Sequence, residues 1–203
     1  MATADLLGRL GFFVDTGFLD LEACRRIRTQ TIAGDAHSGT VYGGTGEFVV
    51  DRRIRQVQRT RLQRSALEEL TAKLLSLMPA LEAHFQTKLE GMEDPVLLTY
   101  GVGDFYAVHR DGTDDSTAPE HFRRRHVSVI IFLNSQAEEA RDDSYCGGAV
   151  VFYGILKLPG SEKYGVDLNG LAGSLVAFPS DVPHEVEPVT SGHRFTLVTW
   201  YYQ

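Results

Sequence analysis

The stretch YGVGDFYAVHRDGTDD carries one His-x-Asp, formed by His109 and Asp111. In an extended segment, residues i and i+2 face the same side, so this spacing can present an imidazole and a carboxylate to one ion. A single triplet settles nothing, because a metal site needs three or four converging donors. His37 and His84 lie in the N-terminal region, and His121, His126 and His193 sit beside basic or strand residues. His184, in FPSDVPHEVEPV, follows an apolar strand and a proline-bounded turn. A side chain there can lean from a rim into a barrel mouth.

Two histidines and one carboxylate with open coordination positions suit non-haem Fe(II) chemistry. Zinc accepts the same set, but no H-E-x-x-H helix is present. Ten residues beyond His184 comes Arg194, opening RFTLVTWYY. Strand alternation places Arg194, Thr196, Val198 and Trp200 on one face, with Phe195, Leu197, Thr199 and Tyr201 on the other. A guanidinium on an apolar inner face is costly unless an anion meets it. Its planar fork suits a carboxylate. An iron site with such an arginine nearby fits a dicarboxylate co-substrate, one end on the metal and the other on the arginine.

The elements that must position these residues fall into two textures. LDLEACRRIRTQTI reads as a short helix with Asp20 as N-cap. Ser65 and Glu68 form a capping-box pattern, and Leu67, Leu70, Leu74, Leu77 and Leu81 mark the buried stripe of a longer helix. Pro79 predicts a kink, or a second helix from near Ser76. From about residue 95 the chain reads as short strands: PVLLTYG, RHVSVIIFLN, GGAVVFYG, GSLVAFP and HRFTLVTWYY. Helices first and strands afterwards predict one α+β domain, with helices packed on one side of a β-sandwich or barrel.

Composition narrows the class. At 203 residues, with 43% hydrophobic and 23% charged, the chain suits one soluble domain spanning 1–203. A net charge of −7 argues against a nucleic-acid partner. No secretory signal and no ~20-residue apolar membrane span is read in the sequence. Cys24 and Cys146 form neither a disulfide framework nor a zinc knuckle, which implies a reducing, cytoplasmic setting. Nothing in the sequence fixes an oligomeric state.

The order H-x-D, distal His, then a basic residue about ten positions on resembles the 2-oxoglutarate- and Fe(II)-dependent oxygenases, and within them the prolyl 4-hydroxylase branch. LLTYGVGDFYAVHRD, SVIIFLN, GGAVVF, FPSDVPHEVEPV and RFTLVTWYY carry the resemblance, over roughly residues 96–203. It implies a double-stranded β-helix (jelly-roll) core over 95–203, with residues 1–94 as helical support. It implies His109, Asp111 and His184 as iron ligands. Arg194 and Tyr100 would hold the distal carboxylate of 2-oxoglutarate, and Arg125 and Trp200 would face the substrate. The chemistry implied is hydroxylation of an unactivated C–H bond, with O2 as oxidant, succinate and CO2 as co-products and ascorbate as accessory reductant.

The substrate expected is a prolyl residue of a peptide or protein. A free amino acid or small metabolite is the alternative. A cupin-like binding module and a zinc hydrolase using Glu185 as base are rivals that metal analysis would separate. Residues 39–60, with Gly39, Gly43, Gly44 and Gly46 ahead of Arg52, Arg53, Arg55 and Arg59, read as a hinged lid hairpin. With Arg123, Arg124 and Arg125 they predict a basic rim suited to an acidic peptide.

Overall fold

Eight of the strands from Val96 onward are shared four and four between two sheets, and the crossings between them define the architecture. In the computed structural model, residues 2–31, 35–42, 48–156, 159–161 and 163–203 are described. The larger sheet runs Phe13–Asp15, Leu175–Pro179, Arg125–Phe132, Arg194–Tyr202, Val96–Tyr100, Gln58–Thr60 and His37–Ser38, with Gly91–Met92 added beside Arg194–Tyr202. The facing sheet runs Gly165–Leu168, Val150–Tyr153, His184–Val186, Phe105–His109 and Arg55–Gln56. Following the chain through Val96–Tyr100, Phe105–His109, Arg125–Phe132 and on to Arg194–Tyr202 crosses repeatedly from one sheet to the other. This is a double-stranded β-helix, as the resemblance to the oxygenases implies.

The closing strand Arg194–Tyr202 sits between Arg125–Phe132 and Val96–Tyr100, antiparallel to both. Its alternation sorts its side chains between two cores. Leu197 and Tyr201, with Phe195 beside them, pack outward with the helices. Val198 faces the space between the sheets, near Leu98, Tyr100, Ile130 and Phe178.

The supporting helix is a single element, Arg64–Phe85, which runs through Pro79. Proline removes one i→i−4 hydrogen bond, from the Leu75 carbonyl. Leu75 and Pro79 both lie on the exposed side, where water can take that carbonyl, so no second helix starts. Leu70, Leu74 and Leu81 are buried against the larger sheet, each contributing roughly 1.5–3 kcal/mol relative to exposure. Tyr201 pins the same helix by donating its hydroxyl to the Leu74 carbonyl at 2.7 Å. The Ser65/Glu68 capping box does not form. The N-cap is Gln63 without a side-chain bond, and Glu68 accepts from Arg64 at 2.8 Å instead. Asp20 caps the helix Leu21–Thr29 through Ala23 N at 2.7 Å, as expected.

Residues before 95 are more than helical support. Four short strands from this region extend the edges of both sheets. The pairs Gln58–Thr60 with Val96–Tyr100 and Arg55–Gln56 with Phe105–His109 cover edges that would otherwise expose unpaired backbone. Within 39–60, Val41–Tyr42 pairs with Phe48–Val49 as a hairpin. Gly43, Gly44 and Gly46 lie outside the described residues.

Candidate metal centre

His109 ends the strand Phe105–His109 and His184 begins His184–Val186, and the antiparallel register sets the two Cα positions opposite each other. Their rings lie 4.2 Å apart, centroid to centroid. Asp111 is not on the strand but in the bend after it. A shared acceptor fixes that bend: the backbone N–H groups of Asp111 and Gly112 both donate to the Ser180 carbonyl at 2.9 Å. Ser180 is itself held by its N–H to the His126 carbonyl and by the Ser128 hydroxyl, which donates at 2.9 Å. It lies four residues before His184, so one turn positions two of the three donors. Gly112 is required there, because a Cβ would lie 2.7 Å from the Arg125 carbonyl oxygen and 3.0 Å from Ser180 Cβ.

Each imidazole is oriented the same way. His109 Nδ1 lies 2.9 Å from the Ala107 carbonyl and His184 Nδ1 3.0 Å from that of Val182. With Nδ1–H given to a carbonyl, the Nε2 lone pair is left for a ligand, the arrangement usual behind metal-bound histidine. Both Nε2 atoms face Asp111, at 3.5 Å from Oδ1 for His109 and 3.7 Å from Oδ2 for His184. One ligand atom from each of the three residues lies within 4.8 Å of the others. Burial, and then repulsion from His109, pull the His184 pKa down to about 4, which keeps that ring neutral at pH 7. Burial alone would raise Asp111. The two histidines and the Trp200 side chain outweigh it and hold the carboxyl well below its usual range. Two imidazoles and one carboxylate so poised can hold a divalent ion at three positions.

Arg194, Thr196, Val198 and Trp200 all line the same inner pocket as the triad, with Tyr100. Arg194 is 1% exposed. Its NH1 donates to Thr196 Oγ1 at 3.2 Å, and its guanidinium lies over the rings of Tyr100 and Phe132 at 5.0 and 5.5 Å. No carboxylate meets it among the described residues, and its Nε is buried without a hydrogen-bond partner, as is the nearby Tyr145 hydroxyl. Gly148, at φ +63°, makes room, since a Cβ would stand 3.1 Å from Arg194 Cδ. Burial raises the Tyr100 hydroxyl's pKa and keeps it a donor. A buried, unpaired guanidinium behind a three-donor metal site fits a dicarboxylate, so the residues present suit Fe(II) with 2-oxoglutarate.

An outer pocket of about 610 Å³ adjoins the triad. Arg125 and Trp200 both line it, Arg125 stacking 3.7 Å from the Trp200 ring. Arg125 is not a free charge: its Nε and NH2 bond Glu93 at 2.6 and 2.7 Å. The predicted arginine run therefore divides. Arg123 donates to the Ala118 carbonyl, and Arg124 pairs with Glu90 and the C-terminal Gln203 carbonyl. Arg53 bonds Asp51. Glu185, the candidate hydrolytic base, instead accepts from Tyr153 and lines neither pocket.

Two contributors, Glu93 and Tyr106, escaped the sequence. Glu93 had no signal at all, because its partner is 32 residues away. Tyr106 stacks on His109 at 3.5 Å, although three residues apart on a strand should place them on opposite faces. A bulge opposite His184–Val186 shifts the register and brings them together. Arg55 lies over the Tyr106 ring at 4.4 Å and donates to the Thr40 carbonyl at 2.9 Å. It belongs to the expected basic rim, but its place against Tyr106 comes from the pairing of Arg55–Gln56 with Phe105–His109.

The model of the 2OG-Fe(II) oxygenase superfamily matches residues 95–202. A PKHD-type hydroxylase of Thermosynechococcus vestitus is 31% identical over 183 residues, 90% of this chain and 74% of that one. A PKHD-type hydroxylase of Hyphomonas neptunium is 29% identical, over 73% of this chain and 61% of its own. The chain thus spans three quarters or less of these relatives' length. Among solved structures, a Pseudomonas putida prolyl-4-hydroxylase superposes with a TM-score of 0.69 at 24% identity, covering 100% of this chain and 97% of the other. A Trichoplax adhaerens prolyl hydroxylase, solved with a hypoxia-inducible-factor peptide fragment, gives 0.73 at 22%, covering 98% and 87%.

Proposed function

As a member of the 2OG-Fe(II) oxygenase superfamily, this chain is an oxidoreductase, and we propose that it hydroxylates a prolyl residue of a peptide or protein. The observation that carries the reading is the convergence of His109, Asp111 and His184 on a pocket whose other end holds the unpaired Arg194. When bound there, Fe(II) and 2-oxoglutarate supply oxidative decarboxylation to succinate and CO2, with one oxygen atom of O2 going to the substrate. Everything else is placement by the protein.

His109 Nε2, His184 Nε2 and the Asp111 carboxylate would hold the metal. Arg194 grips the far carboxylate of 2-oxoglutarate, with Thr196 steadying NH1 and Tyr100 donating beside it. Tyr106, Trp200 and the Glu93-clamped Arg125 wall the outer pocket and orient the substrate ring. The surrounding apolar core, Ile130, Val186 and Val198 among it, limits water at the reacting centre. Ascorbate as accessory reductant and a cytoplasmic setting belong to the same reading. The free Cys24 and Cys146 support the latter.

The test is turnover of the purified chain with Fe(II), 2-oxoglutarate and a panel of prolyl peptides, free amino acids and metabolites. A prolyl peptide that raises succinate formation and gains one oxygen supports the proposal. Coupling to a small metabolite alone replaces it with the alternative substrate class.

A further inference from the structure

The outer pocket carries more positive charge than its walls neutralise. Arg55, Arg59, Arg110 and Arg125 line it, against Glu93, Asp111 and Asp115. Glu93 is taken by Arg125 in a two-point bond. Asp111 faces both histidines, and Asp115 accepts from the Thr117 N–H and hydroxyl. For Arg59 and Arg110 no carboxylate lies within ion-pair distance among the described residues. Arg55 has only a carbonyl partner for NH1, and its Nε is buried with none.

These charges are brought together by the fold rather than by sequence proximity. Arg55 pairs in register with Tyr106 on the smaller sheet, and Arg59 with Leu98 on the larger one. Arg59 is half-buried between Arg55 and Arg125, and burial followed by repulsion from both lowers its pKa. A chain of net charge −7 that gathers unmatched guanidinium groups at one pocket meets a cost that an anionic ligand would offset. Arg55 lines the inner pocket as well, beside Arg194, whereas Arg59 and Arg110 line the outer pocket and not the inner one, so a carboxylate held by Arg194 leaves those two unmatched.

We propose that Arg55, Arg59 and Arg110 form a carboxylate subsite of the outer pocket, which selects a substrate with an acidic side chain flanking the target proline. This rests on the prolyl reading and deepens it. Of the rim expected from Arg52, Arg53, Arg55, Arg59 and Arg123 to Arg125, only Arg55, Arg59 and Arg125 line this pocket, and Arg110 joins them.

The test compares short peptides that differ only in the residue beside proline, Glu, Gln or Lys, with free proline as a further arm. Binding is read from the fluorescence of Trp200, the chain's one tryptophan, with metal and 2-oxoglutarate present and oxygen excluded. The Glu peptide should bind about tenfold tighter than its Gln isostere or more, as expected for a charge-assisted contact, and added salt should narrow the gap. Arg59→Glu should turn the preference toward the Lys peptide. Arg110→Glu, on an exposed side chain, should do so in part even where Arg59→Glu disturbs folding. Equal binding of the Glu and Gln peptides, with both hydroxylated, overturns the subsite and leaves the prolyl reading standing. Free proline binding as tightly as the Glu peptide assigns the carboxylate to a small substrate and overturns the flanking-residue proposal. Binding of no peptide, with a metabolite driving turnover, removes both.

Discussion

Replacing Arg194 by methionine should move ligand-free stability and co-substrate affinity in opposite directions. The side chain is 1% exposed, keeps one 3.2 Å bond to Thr196, and leaves Nε without a partner. An unsatisfied buried donor costs about 1–3 kcal/mol, more when charged. Methionine keeps an unbranched apolar stem and opens little cavity, so the ligand-free variant should be more stable by about 1–2 kcal/mol. The same change removes a charge-assisted contact to 2-oxoglutarate worth about 1.5–3 kcal/mol, roughly tenfold to a hundredfold in Kd. At a concentration of ~100 Kd the parent gains about 2.7 kcal/mol from the ligand. A thirtyfold weaker variant would gain only about 0.9 kcal/mol at that concentration. For a chain of this size those gains correspond to roughly 5–10 °C and 2–4 °C in Tm. Thermal melting of both proteins, with a non-redox divalent ion and with or without 2-oxoglutarate, reads both effects. A variant that melts lower without ligand, yet keeps the parent's ligand-induced shift, would refute the assignment of Arg194 to an anion.

Gly112→Ala places a Cβ against the Arg125 carbonyl oxygen and Ser180. It should displace Asp111 and weaken metal binding about tenfold or more by calorimetry, with an unchanged circular-dichroism spectrum. Glu93→Gln breaks the two-point bond that seats Arg125 on Trp200, and should raise the KM for substrate while metal affinity stays at the parent value. Asp35 is held well below the usual carboxylate range by the Arg61 guanidinium and backbone N–H. A folded-state pKa below the unfolded one stabilises above about pH 4 and is lost as pH falls. Asp35→Asn should therefore lower stability at pH 7 and flatten its decline in acid, measured by denaturant midpoints across pH.

The strands and the long helix were readable because each has one buried face. Leu70, Leu74 and Leu81 keep a helical period, and RFTLVTWYY alternates at period two down to the inward Arg194. Spacing singled out His109, Asp111 and His184 as candidates, but alternation does not place Asp111, which lies in the bend beyond the strand, held by the Ser180 carbonyl. Partner choice was what the sequence could not show. Arg123, Arg124 and Arg125 look alike in a row, yet a carbonyl, Glu90 and Glu93 claim them separately. The Ser65 capping box lost to an Arg64–Glu68 pair one residue away. Tyr106 needed a bulge that no local pattern announces, and Gly112 is explained by the Arg125 carbonyl and Ser180, 13 and 68 residues on.

The central claim is that His109, Asp111 and His184 hold Fe(II) in the pocket where Arg194 holds 2-oxoglutarate. The most direct test is the visible absorption that 2-oxoglutarate gives when Fe(II) binds it, recorded without oxygen. The parent should develop the band at one Fe(II) per chain, His184→Ala should not develop it, and Arg194→Met should need about tenfold or more additional 2-oxoglutarate to reach it. A band of parental amplitude in His184→Ala, or none in the parent at saturating Fe(II) and 2-oxoglutarate, would contradict the account.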